Sequence, residues 1–216
     1  MQNRVVKASL FLLACLVVGI VAGVFSAKYY RAGPAQAPEI TGFLWPNPKT
    51  IGPFGMINQD NKLFSQKDLA GHWTFLFFGY THCPDVCPIT LSVLDQVYRQ
   101  LQKSNQAGNV QMVFVSVDPQ RDTPDKMASY MDYFNRDFVG LTGSQEQLES
   151  LARQMGIVYV HGDESAPGEY LVDHTASIFL VSPEKQLIGI FSAPHDKQDI
   201  IDRFLKIRNF IGNQAS

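Results

Sequence analysis

The sequence predicts an α/β domain, because segments typical of buried strands alternate with segments typical of amphipathic helices. Residues 74–80 and 110–117 form two apolar runs, each bounded by turn-forming residues. Between them, residues 89–102 carry Leu and Val at helical spacing. A buried strand, a helix and a second buried strand in this order indicate two parallel strands with the helix packed on their sheet.

Further elements are predicted on both sides of this unit. Thr123 with Pro124, and Ser144 with Gln147, are typical helix N-termini. A hairpin is predicted over 54–64, strands over 138–142, 157–161, 178–181 and 186–191, and a last helix over 196–211. The closing strand–strand–helix order is that of a thioredoxin-like fold. We therefore expect a central mixed sheet flanked by helices, with an N-terminal hairpin and a strand–helix insertion in mid-domain.

The N-terminus predicts a transmembrane helix. Residues 8–27 contain no charged side chain, and about 20 apolar residues suffice to cross a bilayer. We interpret residues 1–28 as a single-pass anchor with a short cytoplasmic arm, 29–53 as a linker, and 54–213 as the domain. The domain is expected on the periplasmic side of the inner membrane, rather than in mitochondria. A cleavable signal peptide is the alternative, although its apolar core would be shorter.

Composition excludes some classes of function. Charged residues make up 18% of the chain and the formal net charge is -2, without the basic stripe that nucleic-acid binding requires. Three cysteines are too few for a disulfide scaffold. The closely spaced pair Cys83 and Cys87 is therefore the first candidate for a working site.

Cys83 and Cys87 lie where the first buried strand leads into a helix. If that helix begins near Pro84, their spacing places both thiols on one helical face. A helix N-terminus favours thiolates, the form that attacks disulfides and binds soft metals. The alternative is a structural disulfide or two buried, inert thiols.

His174 is the candidate third ligand. It precedes the strand at 178–181, whose start lies beside the cysteine turn in a thioredoxin-like arrangement. Two thiolates and one imidazole suit one copper ion, as Cu(I) or Cu(II), and the neighbouring Asp173 could orient the ring. The alternative is a turn histidine bonded to backbone. Residues 173–176 lack the cis-proline usual in thioredoxin-type oxidoreductases, which favours metal handling over disulfide exchange.

Three sequence blocks resemble the SCO/SenC family. They are FGYTHCPDVCP at 78–88, VSVDP with RDTP at 115–124, and VDHT at 172–175. The resemblance implies a membrane-tethered, thioredoxin-like protein that receives copper from an upstream donor protein and helps assemble the CuA centre of cytochrome c oxidase subunit II. It also implies that Cys83, Cys87 and His174 are the copper ligands.

The expected function is therefore that of a metallochaperone and not of a turnover enzyme. The main alternative is a thiol-disulfide reductase, in which Cys83 and Cys87 would form a redox-active dithiol that keeps the target's cysteines reduced. A copper or redox sensor is a further alternative. A peroxiredoxin-like peroxidase is disfavoured, because no Arg and Thr set accompanies Cys83 as that chemistry requires.

Overall fold

The structure is a computed structural model that describes residues 16–23, 26 and 44–214. Residues 16–23 are helical. Among the described residues, no helix combines the length and apolar character needed to cross a membrane. The anchor predicted for residues 1–28 and the first part of the predicted linker lie largely outside the described residues.

A mixed eight-stranded sheet forms the centre of the domain. The strands of the described domain are β1 (Leu44–Thr50), β2 (Gly55–Asn58), β3 (Leu63–Ser65), β4 (Trp73–Gly79), β5 (Val110–Ser116), β6 (Val139–Thr142), β7 (Tyr159–His161), β8 (Val172–His174), β9 (Ile178–Val181) and β10 (Gln186–Phe191). All of them except β7 and β8, which pair with each other, belong to this sheet. The sheet order is β1-β10-β9-β4-β5-β6-β2-β3. Strand β5 runs parallel to β4 and β6, whereas the other pairings in this sheet are antiparallel. The predicted central mixed sheet is confirmed.

Four helices belong to the domain. They are α1 (Val86–Lys103), α2 (Pro124–Phe134), α3 (Gln145–Met155) and α4 (Lys197–Gln214). The side chain of Thr123 accepts the N–H of Lys126 at the start of α2. Ser144 opens α3 with a capping box. Both predicted helix starts are confirmed. They were predictable because each depends on a contact between residues that are close in the sequence.

Strand β1 lies in the segment that the sequence assigned to the linker. Residues 44–50 pair antiparallel with β10 at the edge of the sheet, through an irregular register. Proline lacks an N–H and is tolerated in edge strands, so Pro46 and Pro48 obscured this strand without preventing it. The predicted linker, 29–53, therefore extends too far along the chain.

Three loops meet at one end of the sheet, the end at which β4 and β5 finish. All seven residues of β4 are buried, and β4 pairs in register with β5 from Trp73–Val110 to Gly79–Ser116. The loops that follow both strands therefore leave the sheet side by side. Because β9 is antiparallel to β4, with Ile178 opposite Phe77, the chain that enters β9 also lies at this end of the sheet. It carries His174 towards the cysteines.

Candidate metal centre

Cys83 lies in the loop after β4, Cys87 lies in the first turn of α1, and their sulfur atoms are close together. Helix α1 begins at Val86, so the predicted start near Pro84 is wrong. Proline disfavours helical geometry at the residue before it, which keeps Cys83 in the loop, where its N–H donates to the Tyr80 carbonyl at 3.2 Å. The N–H of Cys87 donates to Cys83 Sγ at 3.4 Å. The thiols are neighbours, as predicted, but they do not share a helical face.

His174 completes the cluster from the other side. It ends β8, and its Nε2 lies 3.4 Å from Cys87 Sγ. Its Nδ1 lies 3.2 Å from the Thr175 carbonyl oxygen, which can only accept a hydrogen bond. Donation from Nδ1 leaves the lone pair of Nε2 directed at the sulfur. The orienting acceptor is thus a backbone carbonyl, and not the Asp173 carboxylate that the sequence suggested.

The three side chains form a group that can hold a metal ion. The Sγ atoms of Cys83 and Cys87 and a ring nitrogen of His174 all lie within 4.8 Å of one another. Cys87 is buried, whereas Cys83 and His174 are half-buried. Two sulfurs and one imidazole nitrogen form a donor set for a soft or borderline ion. The residues present therefore fit the kind of metal that the sequence predicted.

The two thiols differ in their affinity for protons. The hydrogen bond from the Cys87 thiol, supported by nearby backbone N–H groups, lowers the pKa of Cys83 to about 4 despite partial burial. The same hydrogen bond, together with burial, raises the pKa of Cys87 well above its ordinary value. At neutral pH the pair therefore carries one proton, on Cys87, and Cys83 is a thiolate.

Gly79 makes room for the buried thiol, a role that the sequence reasoning missed. A Cβ at this position would lie 2.7 Å from Cys87 Sγ and 2.7 Å from the Phe114 ring. Such contacts are too short for any side chain, so only glycine fits at the end of β4. A glycine at the end of a buried strand, just before two cysteines, was the available signal.

Asp122 anchors the cysteine loop, and it too was missed. Its buried carboxylate accepts hydrogen bonds from the backbone N–H of Thr81 at 3.0 Å, from Thr81 Oγ1 at 2.5 Å and from Ser116 Oγ at 2.6 Å. His82 Nδ1 lies farther away, 3.8 Å from the same carboxylate, and His82 is not part of the metal-binding group. The sequence placed Asp122 in a loop but could not identify its partners.

Comparison with known proteins identifies the family of this chain. The SCO1/SenC family profile matches residues 45–209. The chain belongs to the SCO1/SenC family. It is 39% identical over 155 residues to the mitochondrial SCO1 homolog 1 of Arabidopsis thaliana, covering 72% of this chain and 46% of the relative. The chain thus spans about half the length of that relative.

Solved structures in the same family show the same fold. The crystal structure of Arabidopsis thaliana ScoI with copper bound has a TM-score of 0.68 at 39% identity, covering 73% of this chain and 98% of that one. BsSco, described as having a disulfide switch and as a member of the Sco family of cytochrome c oxidase assembly proteins, has a TM-score of 0.59 at 26% identity. It covers 73% of this chain and 92% of its own.

Proposed function

We propose that this protein is a metallochaperone that carries one copper ion, as Cu(I) or Cu(II), between Cys83, Cys87 and His174. The observation that carries the proposal is the convergence of two sulfurs and one imidazole nitrogen within 4.8 Å. Copper in the related Arabidopsis structure supports copper over other soft metals. The ion is cargo in this proposal.

The contrast between the two thiols suggests how copper is taken up. Cys83 is half-buried and has a pKa of about 4, so at neutral pH its thiolate needs to lose no proton before it binds. Cys87 is buried and protonated, and its proton must leave when its sulfur becomes a ligand. Cys83 is therefore the natural first contact, and Cys87 and His174 close the site behind it. Delivery follows the reverse order, with the partner's ligands replacing them stepwise.

We further infer that the protein receives copper from a donor protein and passes it to the CuA site of cytochrome c oxidase subunit II. The description of BsSco as belonging to a family of oxidase assembly proteins supports this role. The uncharged segment 8–27 supports a membrane anchor over residues 1–28. In this proposal a linker follows the anchor, and the domain, which ends near residue 213, lies on the periplasmic side. Such a tether would keep the site close to a membrane-bound oxidase.

A titration of the purified full-length, reduced protein with Cu(I) and a competing chelator tests the ligand assignment. One ion per chain is expected. Because one of three ligands is lost, His174→Ala should weaken binding at least about tenfold, equivalent to about 1.4 kcal/mol. The exposed His72, whose Nδ1 lies 3.1 Å from the Ala70 carbonyl oxygen, provides the matched control His72→Ala. Unchanged stoichiometry and affinity in His174→Ala would show that the assignment is wrong.

The second candidate function is a thiol-disulfide reductase, favoured by the low pKa of Cys83. The Cys83 thiolate would attack one sulfur of a partner disulfide, forming a mixed disulfide and releasing the partner's other sulfur as a thiolate. Cys87, after losing its proton, would then attack Cys83 Sγ and release the second partner thiolate. The partner disulfide gains two electrons and the Cys83–Cys87 pair becomes a disulfide.

Oxidase assembly in cells that lack the wild-type protein separates the two functions. If copper delivery is the function, His174→Ala should abolish assembly while the variant still reduces a model disulfide. If His174→Ala supports normal assembly and only the cysteine variants fail, the reductase is the working activity. The His72→Ala protein serves as the control for expression and folding.

A further inference from the structure

The strand that carries His174 is not part of the main sheet. Strands β7 and β8 pair only with each other among the described strands, in a register that places Tyr159 opposite His174. We call residues 159–161 and 172–174 the ribbon. Because no ladder of hydrogen bonds joins the ribbon to β4 or β5, other contacts must fix the position of His174 relative to Cys87.

We propose that Tyr80, Asp118, Arg121 and Tyr170, here named the tyrosine clamp, are positioning residues that hold His174 against the two cysteines. The proposal rests on the proposed function, in which His174 is a copper ligand. The clamp joins the carboxyl ends of β4 and β5 to the chain that enters β8. It acts on copper binding only through the position of His174.

The first half of the clamp holds Tyr170. Its hydroxyl donates to Asp118 Oδ1 at 2.7 Å, and the Arg121 guanidinium lies 3.5 Å from the centre of its ring. Arg121 also donates to the second oxygen of Asp118 and, at 3.2 Å, to the Gly168 carbonyl. Tyr170 and Gly168 both belong to the loop that leads into β8. The buried ion pair of Asp118 and Arg121 therefore holds this loop through two residues, Tyr170 and Gly168.

Burial makes these contacts depend on one another. The Asp118 carboxylate is fully buried and the Arg121 side chain is 14% exposed. A buried carboxylate needs all its partners, since water cannot replace a lost one. Asp118 therefore favours the state in which the Tyr170 hydroxyl is in place. The loop is thus held by a polar contact that is costly to break and specific in its geometry.

The second half of the clamp is Tyr80, which contacts both ligand-bearing segments. Its hydroxyl accepts the N–H of Val172 at 3.2 Å, two residues before His174. Its ring packs edge-on against the His174 ring, with the centroids 6.0 Å apart. Its carbonyl accepts the N–H of Cys83 at 3.2 Å. A single residue thus sets the spacing between the cysteine loop and β8.

Loosening the clamp should lower copper affinity without removing a ligand. Apparent affinity falls in proportion to the fraction of molecules in which His174 lies at the binding distance. Tyr170→Phe removes the bond to Asp118, and Tyr80→Phe removes the bond from Val172, while each keeps its ring. We expect each variant to bind Cu(I) about tenfold more weakly than the wild type. Tyr133 is 81% exposed, and Tyr133→Phe is the matched control with unchanged affinity.

A double-mutant cycle tests whether the effect passes through His174. Full-length Tyr170→Phe and Tyr80→Phe proteins are titrated with Cu(I) against a chelator, in the wild-type and His174→Ala backgrounds. The clamp predicts weakening in the first background and none in the second. Amide hydrogen exchange of the copper-free proteins provides a second readout. It should accelerate at Val172 and Asp173 in both single variants but not at Leu76 in β4.

The outcomes separate this proposal from the proposed function. Equal weakening in both backgrounds would mean a general loss of structure, and wild-type affinity in both single variants would mean that the clamp holds nothing; either result overturns the clamp. If one variant fails to fold, the other decides. If His174→Ala itself binds copper like the wild type, the ligand assignment fails. If His174→Ala binds weakly and the tyrosine variants bind normally, only the clamp fails.

Discussion

The two sides of the metal-binding group are built in opposite ways. The cysteines follow β4, a strand with seven buried residues that is paired on both sides. His174 ends a ribbon of two three-residue strands, where Val160 is 59% exposed. Apolar burial of β4 and the Asp122 carboxylate that anchors the cysteine loop fix the first side. The tyrosine clamp and a few backbone contacts fix the second.

This contrast suggests a division of labour. A dithiol held by the core keeps its geometry whether or not a ligand is present. Once the tyrosine clamp opens, an imidazole on a lightly packed ribbon can leave the sulfurs without disturbing the main sheet, because few apolar contacts are broken when it moves. A chaperone must release its ion as well as bind it. A firmly held pair of ligands and one more easily displaced ligand suit that requirement.

Hydrogen exchange should show the largest difference between the two regions. Amides of β4 such as Leu76 should exchange only through global unfolding, which costs about 5–15 kcal/mol in typical domains. The amides of Gly162 and Thr175, which donate to Leu171 and Val158 beside the ribbon, should exchange through local opening, at least about a hundredfold faster. Mass spectrometry or NMR measures both classes in one sample. Equal protection would mean that the ribbon unfolds only with the core.

A matched pair of valine truncations should show the same contrast in stability. Val115 in β5 is fully buried, whereas Val160 in β7 is 59% exposed. Val115→Ala removes two buried methyl groups and leaves a cavity, which should lower the free energy of unfolding by about 2–3 kcal/mol. Val160→Ala should change it by less than about 0.5 kcal/mol. Urea denaturation measures both, and a loss above 1 kcal/mol in Val160→Ala contradicts the comparison.

A methyl group added at Gly79 should disturb the cysteine side directly. The new Cβ would meet Cys87 Sγ and the Phe114 ring at 2.7 Å, and such overpacking typically costs about 1–3 kcal/mol. Because the thiol must shift, copper affinity should fall together with stability. Gly108, where an added Cβ meets nothing within 4 Å, provides the control Gly108→Ala. A Gly79→Ala protein with wild-type stability and affinity would show that the thiol has room to move.

The parts of the fold that depend on local pattern were predictable from the sequence. Buried apolar runs indicated β4 and β5, and capping residues such as Thr123 and Ser144 indicated where helices begin. His174 was selected because it precedes a buried strand and because an imidazole can complete a metal-binding set with two thiols. These signals depend on neighbours along the chain, and the structure confirms the elements that they predicted.

The parts that depend on distant partners were not predictable. Strand β1 is stabilised by pairing with β10, more than 130 residues later in the chain, and its prolines gave the opposite indication. Asp118 was recognisable only as a loop residue, because its partner Tyr170 lies 52 positions away. The separate ribbon was equally hidden, since a strand of three residues is too short for its pattern to indicate its partner. These features depend on which segments are neighbours in the fold, and a local sequence pattern does not contain that information.

A further expected effect concerns the proton on the cysteine pair. Iodoacetamide alkylation of Cys83 in the reduced, copper-free protein should show a midpoint near pH 4, whereas an unfolded thiol titrates near about pH 8.5. Cys87→Ala removes the hydrogen bond that lowers this pKa most, so the midpoint should rise. His72→Ala should leave the midpoint unchanged. A native midpoint near pH 8.5 would mean that the two thiols do not share a proton.

The same pKa difference determines how stability varies with pH. The folded pKa of Cys83 lies below the unfolded value, so its stabilising contribution is complete above about pH 8.5 and is lost as the pH falls towards 4. Cys87 has the opposite sign, because its folded pKa is raised, and its contribution is lost as the pH rises above about 8.5. The pair should therefore stabilise the fold most near pH 8.5. Urea denaturation of the wild type and of a Cys83→Ser variant measures this: the difference between them should shrink towards pH 4, and a constant difference would contradict the assigned thiolate.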